Sequence, residues 1–275
     1  YPLRRQRQMC IRDSPSAAHW LGTDHLGRDA FARLIYGGRI SLAVGLITTA
    51  VAISVGTIYG ALAGFSGPRI DALMMRFVDV LYALPFLVIV ILLGSLLQKQ
   101  TDAWTEAAVM QLAGDQPTLE SVQHWRTSIE PLMSLLPLFI AIGALSWLTI
   151  ARIVRAQVQQ ISRLEYVEAA RSIGLSSWQV LWRHVLPNAW GPVIVYATLT
   201  VPSVMLFEAV LSFLGLGVKP PNSSWGILIK EGAEMMLAHP LQLLFPSLVF
   251  TLTLLALNFV GDGLRDALDP RGSQL

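Results

Sequence analysis

An all-α integral membrane fold is predicted for this chain by its composition, by five apolar stretches, and by one polar insert between them. The 275 residues are 53% hydrophobic and only 14% charged, with a mean hydropathy of +0.54, where soluble domains carry about 25% charged residues. Five stretches are long and apolar enough to cross a hydrocarbon layer, which takes roughly 20 residues of helix. Between the third and the fourth lies a polar, helix-forming segment, EAARSIGLSSWQVLWRHVLP, from Glu168 to Pro187. A net charge of +2 is too small to argue for a nucleic-acid partner, and the single cysteine, Cys10, has no internal disulfide partner.

In chain order, residues 1–18 are non-periodic, and Tyr1–Ser14 (YPLRRQRQMCIRDS) reads as a non-native remnant, neither signal peptide nor span. Residues 19–39 are expected to be an external segment ahead of the first span, and residues 40–261 the transmembrane domain. The first span, Ile40–Pro68, is free of charge and carries Gly56, Gly60 and Gly64, a small-xxx-small ridge that lets another helix approach closely. The second, about Phe77–Gln98, contains Asp79 near one end and Pro85 as a kink. Pro131–Ala151, Gly191–Val218 and Pro240–Gly261 complete the five, with longer connections at Lys99–Glu130 and Lys219–His239 and a tail at 262–275.

Arginine and lysine set the orientation. Arg69, Arg76, Arg152, Arg155, Arg163, Arg171, Arg183, Arg265 and Arg271 fall on one side, against Lys99, Arg126, Lys219 and Lys230 on the other. The polar insert and the C-terminus are therefore expected in the cytoplasm. The arginines before the first span oppose this assignment, but long segments follow the charge rule weakly.

Within the insert, Leu164, Val167, Ala170 and Ile173 recur as one helical face, and Gly174 stands where a left-handed cap ends a helix. Ser176 and Gln179 make a capping box for a second helix, with Trp178, Leu181, Trp182 and Val185 as its apolar stripe and Pro187 as its stop. Glu168 and Arg171, three apart, are spaced for a surface ion pair. Glu208 lies within the fourth span, so it must face protein or a water-filled path. It is read as a hydrogen-bonding anchor, with a pathway role as the alternative.

Glu168, Ala169 and Ala170, then Gly174, then Leu186 and Pro187 resemble the E-A-A-x3-G-x9-I-x-L-P motif of membrane subunits of ATP-binding-cassette importers, with His184 in place of the isoleucine. HWLGTDHLGRD (19–29) with Arg33, Gly38, Arg39 and Ser41 resembles the peptide and nickel branch of those importers. So do FEAVLSFLGLG (207–217), Ser224, Trp225 and Gly226, and NFVGDGLRDALDPR (258–271). The resemblance implies the second, C-type membrane subunit of a dipeptide, oligopeptide or nickel importer in the cytoplasmic membrane of a prokaryote. It implies that the insert, residues 163–187, is a coupling hairpin gripping the ATPase through Glu168, Ala169, Ala170, Gly174, Leu186 and Pro187. The implied partners are a paired membrane subunit, two cytoplasmic ATP-binding subunits and an extracytoplasmic substrate-binding protein. Such subunits usually have six helices, so a first helix is expected to precede those seen here, and the Lys99–Glu130 connection is expected to touch the receptor.

None of the three lysines follows a glycine, so the phosphate-binding G-x4-G-K-[ST] loop is absent. The five histidines lack metal-ligand spacing, and H-E-x-x-H, C-x-x-C and G-x-S-x-G are all missing. Neither catalysis nor a cofactor is expected, and ATP hydrolysis is assigned to the partners. Two rival classes remain: a proton-coupled transporter using Glu208 and Asp79, and a membrane scaffold without transport.

Overall fold

The computed structural model describes residues 16–17, 19–24, 26–113, 118–218 and 222–268. The segment 1–14, its reading as non-native, His25, Lys219 and Arg271 lie outside the described residues. Ten α-helices are used below: α1 (Ala30–Phe65), α2 (Pro68–Ala83), α3 (Phe86–Ala113), α4 (Leu119–Met133), α5 (Leu136–Ile161), α6 (Glu165–Ser172), α7 (Ser177–Val180), α8 (Leu186–Phe213), α9 (Trp225–Glu234) and α10 (Pro240–Leu268). A π-helical turn, Leu181–Val185, joins α7 to α8. Five helical segments are long and apolar enough to cross a membrane: Ala30–Phe65, Phe86–Ala113, Leu136–Ile161, Ser177–Phe213 and Pro240–Ala267. Among the described residues the fold is all-helical, as predicted.

Two helices extend past the predicted span ends at charges that find partners. α1 begins at Ala30 rather than Ile40 and takes in Arg33, which pairs with Asp24 and Glu231, and Arg39. α5 runs past Arg152 and Arg155 to Ile161, the two guanidiniums meeting Asp79 and Asp71 of α2. Pro85 does not kink one helix but separates two. Leu84 is extended (φ −77°, ψ 140°), as a residue before proline must be, and α3 starts afresh at Phe86. The Lys99–Glu130 connection is largely helical, shared between α3 and α4, with Thr118 and Ser121 forming a capping box at the start of α4.

The described residues fall into two compact units. One draws on residues up to Val44, Leu93–Leu138 and Met205–Leu254; the other on Gly45–Leu92, Phe139–Val204 and the residues from Leu255 onward. In the second unit the glycine ridge of α1 lies against α5. A Cβ at Gly56 would sit 2.7 Å from Ile150, one at Gly60 would strike the carbonyl of Ala151, and one at Gly64 would lie 2.7 Å from the Arg155 carbonyl. Close backbone approach gains dispersion contacts that longer side chains would forfeit, a packing force that remains when lipid is as apolar as the protein. Across α2, Asp71 accepts from the Arg155 guanidinium and from Gln159 (3.0 Å). Arg155 holds its carboxyl below the ordinary range, against the opposing effect of burial.

In the first unit the residues before α1 form a tight, charged loop. Gly22 and Gly27 take positive φ, and the Asp24 carboxylate accepts from the Leu26 and Arg28 amides and from the Arg28 (2.7 Å) and Arg33 (2.8 Å) side chains. Burial works against ionisation of Asp24, yet these donors keep its pKa below the usual value. α9 is drawn close to its neighbours. Its Trp225 indole donates to the Leu34 carbonyl (2.9 Å), and a Cβ at Gly226 would lie 2.7 Å from Ala209.

Candidate functional site

α6 presents one face inward and another outward. Val167 (0% exposed) and Ala170 (5%) are buried, while Glu168 and Ala169 are exposed. Ile173, expected on the buried stripe, is instead 79% exposed, because it is the C-cap residue and has already left the helical face. The helix closes in a Schellman arrangement, with the Leu175 amide donating to the Ala170 carbonyl (3.3 Å) and the Gly174 amide to Arg171 (3.0 Å). Gly174 has φ +90°, and nothing lies within 4 Å of where its Cβ would be. Its requirement for glycine is therefore a matter of backbone conformation rather than of space.

The second limb opens with the capping box. Ser176 Oγ accepts from the Gln179 amide (3.3 Å) and Gln179 Oε1 accepts from the Ser176 amide (3.0 Å). Two expectations fail beyond it. The buried stripe is Val180, Leu181 and Val185, while Trp178 is 60% and Trp182 41% exposed, the two rings meeting edge-on at 5.4 Å. Nor does Pro187 stop the helix. The Leu186 amide bonds five residues back to the Leu181 carbonyl, a widened turn that absorbs the proline, and the chain continues into α8. The His184 carbonyl, in that turn, is taken up by the Asn188 side chain (2.6 Å).

The hairpin shares one core with the long helices of its unit. Val167, Ala170, Val180, Leu181 and Val185 pack with Ile150, Val154, Val158 and Ile161 of α5, Ala61 of α1, and Leu186, Ala189 and Val193 of α8. The six motif residues therefore divide. Ala170 and Leu186 belong to this core, Gly174 is the joint, and Glu168, Ala169 and Pro187 face outward. The expected Glu168–Arg171 ion pair does not form; Arg171 lies over the Phe65 ring, 5.3 Å from its centroid. The outer surface combines Glu168 with bulky apolar groups: Leu164, Ile173, Trp178 and Trp182. All four were assigned inward from periodicity alone. The nearest signal to the contrary is a tryptophan pair four residues apart beside a capping box.

Glu208 sits in the other unit and is completely buried. Ser41 donates to its Oε2 (3.1 Å) and Ser212 to its Oε1 (2.6 Å). Ser41 Oγ in turn accepts from the Trp225 amide at the start of α9 (3.1 Å), and Ser224 caps that helix while bonding to Ser212 (3.3 Å). Glu208 thus holds the N-terminus of α9 through serine relays. Asp79, near one end of the second predicted span, is bonded by Arg152 at 2.7 Å.

Residues 56–274 match the family described as binding-protein-dependent transport system inner membrane component. The chain is 43% identical over 253 residues to the oligopeptide transport system permease protein OppC of Haemophilus influenzae, covering 92% of this chain and 70% of that protein. It is 42% identical over 258 residues to the dipeptide transport system permease protein DppC of Bacillus subtilis, covering 94% and 70%. Among solved structures, a chain of the MetNI methionine ABC transporter in an inward-facing conformation superimposes with a TM-score of 0.61 at 15% identity, over 87% of this chain and 97% of that one. At that identity the likeness concerns the fold alone.

Proposed function

The chain belongs to the family of binding-protein-dependent transport system inner membrane components, and on that premise we propose that it is one of two membrane subunits of an ATP-driven peptide importer. Its place is the cytoplasmic membrane of a prokaryote. A paired membrane subunit completes the pore, two cytoplasmic ATP-binding subunits drive it, and an extracytoplasmic binding protein delivers the cargo. Peptides are favoured as cargo because relatives at 42–43% identity carry oligopeptide and dipeptide permease names.

The observation that carries the reading is the hairpin core. Because Val167, Ala170, Val180, Leu181 and Val185 are packed with α1, α5 and α8, a force on the exposed Glu168–Trp182 surface is transmitted to membrane-capable helices without a flexible joint. Close-packed interiors have low compressibility and transmit strain. Glu168, Ala169, Ile173, Trp178 and Trp182 are the surface on which an ATPase subunit docks, Gly174 sets the angle between the limbs, and Leu186 and Pro187 tie the second limb to α8.

Co-expression with a paired subunit, two ATPases and a binding protein tests this. In proteoliposomes, ATP-dependent uptake of labelled peptide is expected. Glu168→Lys with Ala169→Asp should release the ATPases in a pull-down while the membrane subunits stay paired. Uptake driven by a proton gradient without ATPases, uptake of nickel in place of peptide, or undiminished ATPase binding by the double variant would each overturn the corresponding part.

A further inference from the structure

The first unit contains a cavity of about 580 Å³, within the range that holds small ligands. One wall is a continuous face of α1 that includes Tyr36, Arg39 and Ile40; across from it lie Leu135, Asn222 and Ser223. Three guanidiniums border it, and two are already committed. Arg28 is bonded to Asp24 at 2.7 Å, and Arg33 to Asp24 at 2.8 Å and to Glu231. Asp29, also at the border, accepts from His19 (2.7 Å) and from the Ala32 amide. Arg39 differs. Among the described residues it enters no ion pair within 4.0 Å, and its contact is the Tyr36 ring, 5.9 Å from the centroid, which holds a cation without neutralising it.

Arg39 is exposed, just ahead of the charge-free stretch that starts at Ile40, and without a carboxylate partner its guanidinium is open to an anion entering the cavity. The lining also holds the Asn222 amide, which donates to Ser134 (3.3 Å), the Ser223 hydroxyl, which accepts from Arg33 (3.5 Å), and apolar groups at Ile40 and Leu135. A guanidinium fork matches a carboxylate bidentately, and the remaining lining suits a short chain with an amide backbone and a small apolar side chain. We propose that this cavity takes the terminal carboxylate of a short peptide on Arg39. The assignment rests on the peptide-import reading for the identity of the acid. It does not depend on the coupling hairpin.

The test uses the complete transporter without its binding protein, reconstituted in nanodiscs of either phosphatidylcholine alone or phosphatidylcholine with phosphatidylglycerol. Equilibrium binding of labelled dialanine is compared with that of dialanine amide. The wild-type complex should bind the acid about tenfold tighter than the amide in both lipid compositions. Arg39→Gln should bring the acid to the level of the amide and leave amide binding unchanged, and Arg39→Lys should recover part of the preference. An acid preference that survives Arg39→Gln overturns the proposal, as does an equal loss of both ligands. Loss of the preference whenever phosphatidylglycerol is present overturns it in favour of a lipid phosphate as the occupant. Uptake separates this inference from the function on which it rests. Peptide import with Arg39→Gln treating acid and amide as wild type does sinks the carboxylate site alone. Arg39-dependent binding without any peptide import sinks the importer reading and leaves the site standing.

Discussion

The hairpin and the α9 region hold their shape by opposite means. The hairpin is built on buried valine, leucine and alanine and places its two acids, Glu165 and Glu168, outside. The α9 region buries its polar groups, with Glu208, Ser41, Ser212 and Ser224 all at or below 2% exposure. Apolar packing tolerates small shifts and leaves the outer surface free to change partners, whereas a buried polar network fixes one geometry and fails when a member is removed. Stability and function should therefore be separable in the hairpin and inseparable around Glu208.

The largest expected effect breaks the polar side of this contrast. Glu208→Ala leaves Ser41 and Ser212 without their acceptor and opens a void, costing about 3 kcal/mol. Thermal denaturation of the purified complex should show a large loss of stability, with uptake falling in parallel. Glu208→Gln keeps an acceptor oxygen and should retain most of both. A Glu208→Ala complex as stable as wild type would mean that the serine relays do not hold α9.

Next comes the α2–α5 clamp. Asp71→Asn removes the charge from the bonds to Arg155 and should cost about 1.5 kcal/mol. Because the folded pKa of Asp71 lies below its ordinary value, the stabilisation is fully present above the unfolded pKa of about 3.9 and is lost as pH falls through the lower, folded value. Acid titration of stability should show that loss in the wild type and lack it in the variant. An unchanged acid profile in Asp71→Asn would remove the clamp from the account.

Much of this was legible in the sequence where the chemistry is local. The positive φ of Gly174, the Ser176–Gln179 box and the close approach at Gly56, Gly60 and Gly64 each follow from residues within a few positions, or from side-chain size alone. The protein environment of Glu208 followed from the cost of an acid at membrane depth. What escaped was non-local. Arg33 finds Glu231 198 positions away, and Arg155 finds Asp71 84 positions back, and both helices run past the charges at which the predicted spans stop. Pro187 was read as a stop because the rule assumes an α-helical turn before it, and a π-turn removes that premise. The outward tryptophans were misassigned because periodicity registers apolar character and not which side of the helix meets the core.

Smaller in free energy, but decisive for the hairpin, is Gly174→Ala. It should cost about 1 kcal/mol through the left-handed conformation alone, since no neighbour obstructs the new methyl. If the hairpin separates stability from coupling, abundance and membrane-subunit pairing stay near wild type while ATP-driven uptake drops. A β-branched Gly174→Val should deepen the uptake defect more than the loss of stability. Equal falls in both quantities would show that the hairpin is as stiffly tied to folding as the Glu208 region.

The smallest effect sharpens the comparison furthest. Gln179→Ala removes only the return half of the capping box, the bond from the Ser176 amide to Gln179 Oε1, and leaves the Ser176 side chain accepting from the backbone of residue 179. About 0.5 kcal/mol is at stake. Gln179 is exposed and precedes the buried run Val180–Leu181, so its loss loosens the first turn of α7 without touching the core. Hydrogen exchange of the amides at residues 176–179 should accelerate several-fold while those of Leu181 and Val185 remain protected. That pattern is expected of a limb whose rigidity comes from packing below and not from its cap. Acceleration spreading through Val185 into α8 would instead make the cap part of the lever, and the division between packed hairpin and hydrogen-bonded α9 would no longer hold.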